Sequence, residues 1–479
     1  MTAMADKTAK IRPGLEQRRR FWRRRWVWSA IAVLAAFWLL VGPWPLRRDH
    51  YAGASYEQAT LERLNRLSLA FPSGPLHAGV GRVEITPAVG EPLAGFSARE
   101  PMAAEGALES LFAKAITLSN GERTVTVLGG DLLLVLPDLR QRILTDLELP
   151  PRDIYFTASH THSGPGGFAP GWVEQISFGS FDEGLADRLA RQFAEAVRTS
   201  RSNLRPVSLG FVRTQPDPAV VANRVVVAGP VDNALSCLFA RNADGEVIAG
   251  LVTYSAHPTC FGRRNREASG DYPGLLQSEL EKQLGGTWLF AAGAMGSMKP
   301  ASDEPRGPRR RDQVGGRLAD SVLRAVRDQM ASGPPPVGVP LTIESAVLPV
   351  DLPPMQLRLG RHLRLSPAAT ALLDHQESFL HLLAIGDLIL LGQPCDYSGE
   401  LSRLFTKRGA DDHTSPEASS RFTVLTTSFN GSYIGYLLPA NRYDLDHYET
   451  RTMSFYGPWC GEYFQSLSRE FVCRAEKAL

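Results

Sequence analysis

Residues 154–167 read IYFTASHTHSGPGG. The first six residues are apolar or small and favour a buried strand, whereas the glycines and the proline at the end favour sharp turns. His160 and His162 share one face if the backbone between them is extended, so one could bind a metal while the other faces a substrate. Ordinary hydrogen-bonded histidines would give the same pattern. The stretch therefore predicts a strand end that carries either metal-binding or structural imidazoles.

Apolar runs of similar length recur on both sides of this stretch. Those interpreted as strands cover 124–130, 153–158, 206–213, 248–255, 286–292, 341–349 and 380–392. Amphipathic patterns with helical spacing lie between or after several of them, at 136–148, 182–202, 312–331 and 400–406. This alternation predicts an α/β fold with a layered β-sheet core and flanking helices.

Side chains that can bind a metal follow several of these runs directly. Asp131 follows the run at 124–130, and His257 follows the run at 248–255. Asp396 follows the last run. Because sites in α/β folds gather at the carboxyl ends of strands, we expect these side chains and the two histidines above to converge on one cleft. The five cysteines show no CxxC spacing, which argues against a cysteine zinc site.

Each of these residues also has a purely structural interpretation. His257 lies in AHPT and is followed at 269–274 by SGDYPG, a second turn with a carboxylate, but a lone histidine at a strand end is commonly structural. Asp396 could simply cap the helix that follows it. The tyrosines of 430–458 could be half-buried packing residues. The residues alone leave these alternatives open.

Charge is distributed unevenly along the chain. The formal net charge is +2, but residues 1–48 hold eleven Lys and Arg against Asp6 and Glu16 and so carry +9. The rest of the chain therefore carries −7. An acidic body argues against nucleic acid as a partner, because phosphate binding needs a basic surface.

The basic N-terminus leads into residues 26–44, which include no charged residue. As a helix this stretch would measure roughly 28 Å, close to the hydrocarbon thickness of a bilayer. Six arginines at 18–25 lie directly before it, and only Arg47 and Arg48 lie directly after it. The positive-inside rule then predicts a cytoplasmic tail at 1–25, a transmembrane signal anchor at 26–45, a linker at 46–76 and a domain outside the cytoplasm at 77–479. A cleaved signal peptide is the alternative.

Taken together, these segments resemble the neutral/alkaline non-lysosomal ceramidase family. GVGRVEITP at 79–87 is similar to the family's first strand, HTHSGPGG at 160–167 is nearly its signature, and Asn223-Arg224 is similar to its NR motif. The segment 430–458 resembles its tyrosine-rich segment in spacing. The resemblance covers roughly 77–470, in order, and is that of a divergent member with the catalytic domain only.

The resemblance implies a zinc ion held by four side chains, namely His160, His257, Asp396 and Tyr436. It also implies that three side chains surround the scissile amide, namely His162, Arg224 and Tyr448. In that chemistry zinc activates water for attack on the amide carbonyl. Arg224 and Tyr448 would stabilise the oxyanion, and His162 would pass a proton to the departing amine.

Three positions depart from the family pattern. Asp396 stands where the family usually has a glutamate, Lys299 stands at the serine of its GDVSPN motif, and Val225 follows Arg224 in place of a serine. Glu400 is a rival carboxylate ligand, but it falls on the helical side of the turn after the last strand. The added cation at Lys299 would suit a substrate with an anionic head group.

The expected function is zinc-dependent hydrolysis of the N-acyl bond of ceramide or a related N-acyl lipid. Two alternatives stay open from the sequence. One is a zinc hydrolase that acts on an ester or on another N-acylated substrate, and the other is a non-catalytic, membrane-anchored binding protein. The sequence does not indicate an oligomeric state.

Overall fold

A computed structural model describes residues 13–97, 99, 102–333, 335–371, 373, 377–406 and 421–479. These residues form two compact units. One comprises the described residues of Met1–Arg47 and Pro354–His375, and the other comprises those of Arg48–Pro353 and Gln376–Leu479.

The strands are numbered in chain order as β1 Trp44–Pro45, β2 Ser73–Pro75, β3 His77–Glu84, β4 Gly106–Ala107, β5 Phe112–Ser119, β6 Thr124–Gly130, β7 Ile154–Phe156, β8 Arg205–Pro206, β9 Ser208–Thr214, β10 Val221–Asn223, β11 Leu235–Arg241, β12 Val247–Tyr254, β13 Glu267–Ala268, β14 Thr287–Ala292, β15 Met298–Pro300, β16 Pro340–Pro349, β17 Leu363–Arg364, β18 Phe379–Ile385, β19 Leu388–Gly392, β20 Asp396–Tyr397, β21 Thr423–Thr427 and β22 Tyr436–Leu437. The helices are α1 Pro13–Leu40, α2 Ser55–Arg66, α3 Pro137–Leu147, α4 Gln175–Phe178, α5 Glu183–Ser202, α6 Asp271–Leu284, α7 Pro308–Met330, α8 Pro367–Ala371, α9 Gly399–Thr406, α10 Tyr448–Arg451 and α11 Cys460–Ala478.

Helix α1, in the first unit, corrects the prediction of a transmembrane anchor at 26–45. The helix ends at Leu40, whose carbonyl accepts a hydrogen bond from the Ser366 hydroxyl at 2.6 Å. Its first half carries the six arginines, so its apolar part is about 15 residues or roughly 22 Å long, against a hydrocarbon core of about 30 Å. Among the residues that the structure describes, no helix is long and apolar enough to cross a membrane. The predicted transmembrane helix at 26–45 is therefore wrong.

Three mixed sheets build the second unit. Their strand orders are β7-β6-β5-β3-β8, β14-β12-β11-β9 and β2-β16-β18-β19-β21. Most neighbouring strands are antiparallel, but each sheet contains one parallel pair, namely β6 with β7, β12 with β14, and β19 with β21. Because parallel strands end at the same edge, each sheet presents two carboxyl ends side by side.

The sheets pack against one another and are covered by helices. One apolar cluster joins buried side chains of all three sheets, among them Val127, Leu289 and Leu390. Helix α5 covers the first sheet with a stripe that includes Leu189 and Phe193, α6 and α7 cover the second, and α2 and α11 pack on the third. All eight residues of β12 are buried, as expected for a strand covered on both faces. These layers confirm the α/β sheet core of the predicted fold.

The strand predicted at 380–392 is a hairpin of β18 and β19. Gly386 and Asp387 form its turn, and Gly386 has φ +56°, in the left-handed region that glycine adopts without strain. The Gly-Asp pair was therefore a turn signal inside a run that is apolar on both sides. The strand that leads to Asp396 is consequently the short β19, which ends at Gly392.

Candidate metal centre

The carboxyl ends of the parallel strands meet in the second unit. The N–H of Ala292, at the end of β14, donates to the carbonyl of Ala158, just after β7, at 3.1 Å. The N–H of Ser428, just after β21, donates to the carbonyl of Ala292 at 2.8 Å. These bonds join one strand end from each of the three sheets. The loops that leave this junction carry the histidines and the carboxylate singled out in the sequence.

Three imidazoles converge beside this junction. Nε2 of His257 lies 3.1 Å from Nε2 of His160 and 2.9 Å from Nε2 of His162. Their donor nitrogens all lie within 4.8 Å of one another, so within the described chain they form a group that could hold a metal ion. The structure thus brings together two of the predicted ligands. It places His162, which was predicted to face the substrate, equally close to them.

His160 adopts a strained backbone conformation that its surroundings fix. Its φ is +63°, in a region that costs a residue with a side chain about 1–3 kcal/mol. Its ring stacks on Phe429, with 4.1 Å between centroids and 14° between planes, and its Nδ1 lies 2.8 Å from the carbonyl of Leu133. Strain of this kind persists where the surroundings demand one orientation, as at ligand sites.

A glycine and an arginine position His162. Its Nδ1 lies 3.0 Å from the carbonyl of Gly95, and Nη2 of the buried Arg99 donates to the His162 carbonyl at 2.6 Å. Gly95 has φ +123°, and a Cβ there would lie 2.5 Å from Cα of His162. The close approach therefore requires glycine at this position.

The hydrogen-bond partners fix the proton positions on two of the rings. A carbonyl oxygen only accepts, so Nδ1 of His160 and Nδ1 of His162 each carry the proton, and both Nε2 atoms are bare. Nε2 of His257 can donate to only one of them. Burial lowers the pKa of His160 to about 3 and holds the pKa of the other two well below the ordinary value, which disfavours a second proton on any ring. Lone pairs that face one another at about 3 Å fit a bound cation.

Asp396 adds a carboxylate to the three imidazoles. Its Oδ1 lies 3.6 Å from Nε2 of His160 and 3.7 Å from Nδ1 of His257, and it has no hydrogen-bond partner within the described residues. Its Oδ2 accepts a hydrogen bond from the Tyr433 hydroxyl at 2.9 Å. Burial raises the pKa of Asp396 to about 7, since a charged carboxylate is costly to bury without a partner. The unpartnered oxygen and the bare nitrogens together form a donor set that fits a divalent metal ion.

Arg224 lies near this carboxylate. Its Nη2 donates to the Tyr436 hydroxyl at 2.8 Å and to the Gly296 carbonyl at 3.2 Å, and its Nε lies 2.9 Å from Oε1 of Glu449. The nearby Tyr436, Glu449 and Asp396 outweigh the effect of burial and raise the pKa of Arg224. A permanent, oriented positive charge therefore lies beside the candidate metal centre.

Two other predicted residues lie further out. Tyr448 begins α10 and is 56% exposed, and its ring centroid lies 6.3 Å from that of Tyr436, so it stands at the rim of the site. Lys299 in β15 is also exposed and pairs with Ala222, two residues before Arg224. Both are accessible to a molecule that approaches from solvent.

Glu400, the rival carboxylate, is occupied elsewhere. Its Oε2 accepts from Nη2 of Arg442 at 3.0 Å, and its Oε1 accepts from Nδ2 of Asn223 at 3.0 Å. Oδ1 of the same asparagine accepts the N–H groups of Val225 and Val226, both at 2.9 Å. Glu400 therefore helps to shape the turn that carries Arg224.

Sequence reasoning missed several residues that shape the site. Tyr433 and Glu449 stand in the tyrosine-rich segment that was singled out, but nothing in the sequence shows that they contact Asp396 and Arg224. The backbone carbonyls of Leu133 and Gly95 fix the tautomers of His160 and His162. A backbone carbonyl does not depend on the residue type, so the sequence does not reveal this role. Phe429 was not recognised as a residue of the site, because an aromatic residue after a strand usually packs in the hydrophobic core.

The part of the chain that carries the three imidazoles and Arg224 matches a known family. Residues 76–298 match the sequence profile of a family described as neutral/alkaline non-lysosomal ceramidase, N-terminal. The chain is 23% identical over 262 residues to the neutral ceramidase of Pseudomonas aeruginosa, an alignment that covers 49% of this chain and 39% of that protein. It is 24% identical over 220 residues to the neutral ceramidase of Mycobacterium tuberculosis, covering 40% of this chain and 34% of that protein. The chain therefore spans well under half the length of these relatives.

The fold is similar over a longer stretch. The crystal structure of the Pseudomonas aeruginosa neutral ceramidase matches with a TM-score of 0.69 at 18% identity, over 84% of this chain and 75% of that one. A structure described as ceramidase complexed with C2 matches with a TM-score of 0.70 at 17% identity, over 85% and 76%. At these identities the likeness shows a shared fold.

Proposed function

Since the chain belongs to the neutral/alkaline non-lysosomal ceramidase family as a divergent member, we propose that it is a zinc-dependent amide hydrolase that cleaves the N-acyl bond of ceramide or a related N-acyl lipid. The observation that carries the proposal is the meeting of His160, His257 and Asp396: Nε2 of His160 lies 3.1 Å from Nε2 of His257 and 3.6 Å from the unpartnered Oδ1 of Asp396. Two histidines and a carboxylate form a known ligand set for catalytic zinc.

The residues around this point supply the remaining chemistry of amide hydrolysis. A zinc ion held there would polarise a carbonyl oxygen and lower the pKa of water towards neutrality. Hydrolysis adds water across the C–N bond and releases a carboxylic acid and an amine. It therefore needs positive charge beside the carbonyl oxygen and a group that carries a proton to the nitrogen.

Arg224 and His162 fit these two roles. Glu449 and the Gly296 carbonyl hold the Arg224 guanidinium in place, so its charge can stabilise the carbonyl oxygen without reorganisation. His162 is neutral with a bare Nε2, so it can accept the proton of the attacking water and deliver it to the departing amine. Tyr448 at the rim can donate its hydroxyl hydrogen to the substrate.

The proposal is tested on the purified chain with a panel of N-acyl lipids and matched esters. We expect release of fatty acid and amine from at least one amide, loss of that activity after chelation, and its recovery on addition of zinc. Mass spectrometry of both products measures the reaction. A chain that holds one zinc ion per molecule and cleaves no amide of the panel would contradict the proposal.

A matched pair of variants tests the carboxylate ligand. Asp396→Asn keeps the shape of the side chain but removes its charge, and we expect zinc affinity to fall roughly 100-fold, or about 2.7 kcal/mol. Glu400→Gln makes the same change at a carboxylate that pairs with Arg442, so we expect a loss of about 1–3 kcal/mol in stability with little change in zinc affinity. Competition against a chelator of known affinity measures both. Equal zinc affinity in the two variants would remove Asp396 from the ligand set.

A further inference from the structure

A cavity of about 490 Å³ lies between the loop that follows His257 and the start of α7. Residues 261–265 and Glu267, which follow His257 in the chain, and residues 306–308, which lead into α7, line it. The N–H of Gly307 donates to the carbonyl of Cys260 at 2.9 Å and joins the two walls. Phe261 is four residues from His257, so their Cα atoms are at most about 14 Å apart.

Asn265 connects the cavity to the loop of His162. Its Nδ2 donates to Oγ of Ser163 at 3.0 Å, and Ser163 directly follows His162. The same Nδ2 donates to the carbonyl of Glu267 at 2.7 Å, which fixes the side chain within the cavity wall. The wall of the cavity and the loop of the metal centre are therefore one hydrogen bond apart.

The cavity is lined by three exposed arginines, namely Arg263, Arg264 and Arg306. No acidic side chain in the described part of the chain forms an ion pair with any of them, whereas the neighbouring Arg311 pairs with Glu109 at 2.9 Å. Glu267 is the acidic residue of the lining, which leaves a net charge of +2. Helix α7 has no acidic residue in its first turn, so its start does not offset this charge.

We propose that this cavity binds an oxyanion, such as a phosphate, sulfate or carboxylate group, carried by the head group of the N-acyl substrate. Guanidinium groups bind such oxyanions through paired charged hydrogen bonds, and clustered arginines without partners repel one another until an anion is bound. The volume is ample for a head group. Binding of the anion stands on the cavity alone, and its assignment to the substrate rests on the proposed function.

Calorimetric titration of the full chain with inorganic phosphate tests the binding. We expect saturable binding that weakens about tenfold in Arg263→Ala, in Arg264→Ala and in Arg306→Ala. Arg191→Ala, which removes an exposed arginine of α5, should bind phosphate as the wild type does. His160→Ala should also retain binding, which would exclude the metal centre as the phosphate site. Absence of saturable binding, or unchanged binding in Arg306→Ala, would overturn the proposal.

Kinetics on two substrates with the same acyl chain identify the source of the anion. For a substrate with a phosphorylated head group we expect Arg306→Ala to lower kcat/KM about tenfold, and for its neutral counterpart we expect a change below about twofold. Equal responses would overturn the assignment to the head group and leave a free oxyanion as the ligand. If phosphate binds but neither substrate is cleaved, the proposed function fails while the cavity assignment stands.

Discussion

His160→Ala and His257→Ala are each expected to remove the bound metal and to lower turnover by at least about 10⁴-fold. The two histidines leave different sheets, and Nε2 of one lies 3.1 Å from Nε2 of the other. Because the site draws its imidazoles from two loops that are far apart in the chain, loss of either histidine opens the site. Metal analysis of the purified variants, together with product release, measures both effects.

His162→Ala separates two readings of the imidazole cluster. If His162 carries a proton for the substrate, its loss should keep stoichiometric metal and abolish turnover. If all three imidazoles are ligands, the metal should be lost as well, and the substrate role of His162 would be wrong. His77→Ala, which removes a half-exposed imidazole at the start of β3, should change neither property. Stoichiometric zinc in His160→Ala would show that the ligands are assigned wrongly.

Arg224→Ala is expected to keep the metal and to lower kcat by about 10²–10³-fold, the cost of losing one preorganised donor to a developing oxyanion. The guanidinium is held by Glu449 and by the Gly296 carbonyl, so its position is set before a substrate arrives. Arg224→Lys keeps the charge but loses the planar fork, and we expect an intermediate loss of about tenfold. Steady-state kinetics with parallel metal analysis measure these changes.

The control for this series is Arg442→Ala. Arg442 pairs with Glu400 at 3.0 Å, so the variant also removes a half-buried ion pair and reports the cost of that loss for stability. We expect its kcat to stay within about threefold of the wild type, because its guanidinium contacts Glu400 rather than one of the candidate metal ligands. If Arg224→Ala and Arg442→Ala lost kcat equally, Arg224 would have a structural role and no direct role in stabilising the oxyanion.

The strand ends were predictable because the strands that carry them are buried on both faces. The run predicted at 124–130 is β6 Thr124–Gly130, and the run before His257 is β12 Val247–Tyr254. In such strands the apolar run stops where the strand stops, so the first polar residues mark the edge of the sheet. The positions of the histidines and of Asp396 after strand ends can therefore be predicted without knowing how the sheets pack.

Features that depend on distant partners were not predictable. Strand β5 has Lys114 in its middle, which breaks the apolar pattern. Its Nζ is satisfied by Oε1 of Glu281 at 2.7 Å and by the carbonyl of Trp288 at 2.8 Å, 167 and 174 residues away. The end of α1 likewise depends on the hydroxyl of Ser366, 326 residues from Leu40. Local composition cannot show such contacts.

The junction of three sheets also determines when the metal donors can come together during folding. His160 and His257 are 97 residues apart in the chain, so closing the loop between them costs entropy that only the assembled sheets repay. A partly assembled chain therefore offers no complete set of donors. A metal ion that binds only the native state slows unfolding and leaves the folding rate unchanged. The fraction of molecules that hold a metal ion would therefore report the fraction that has completed folding.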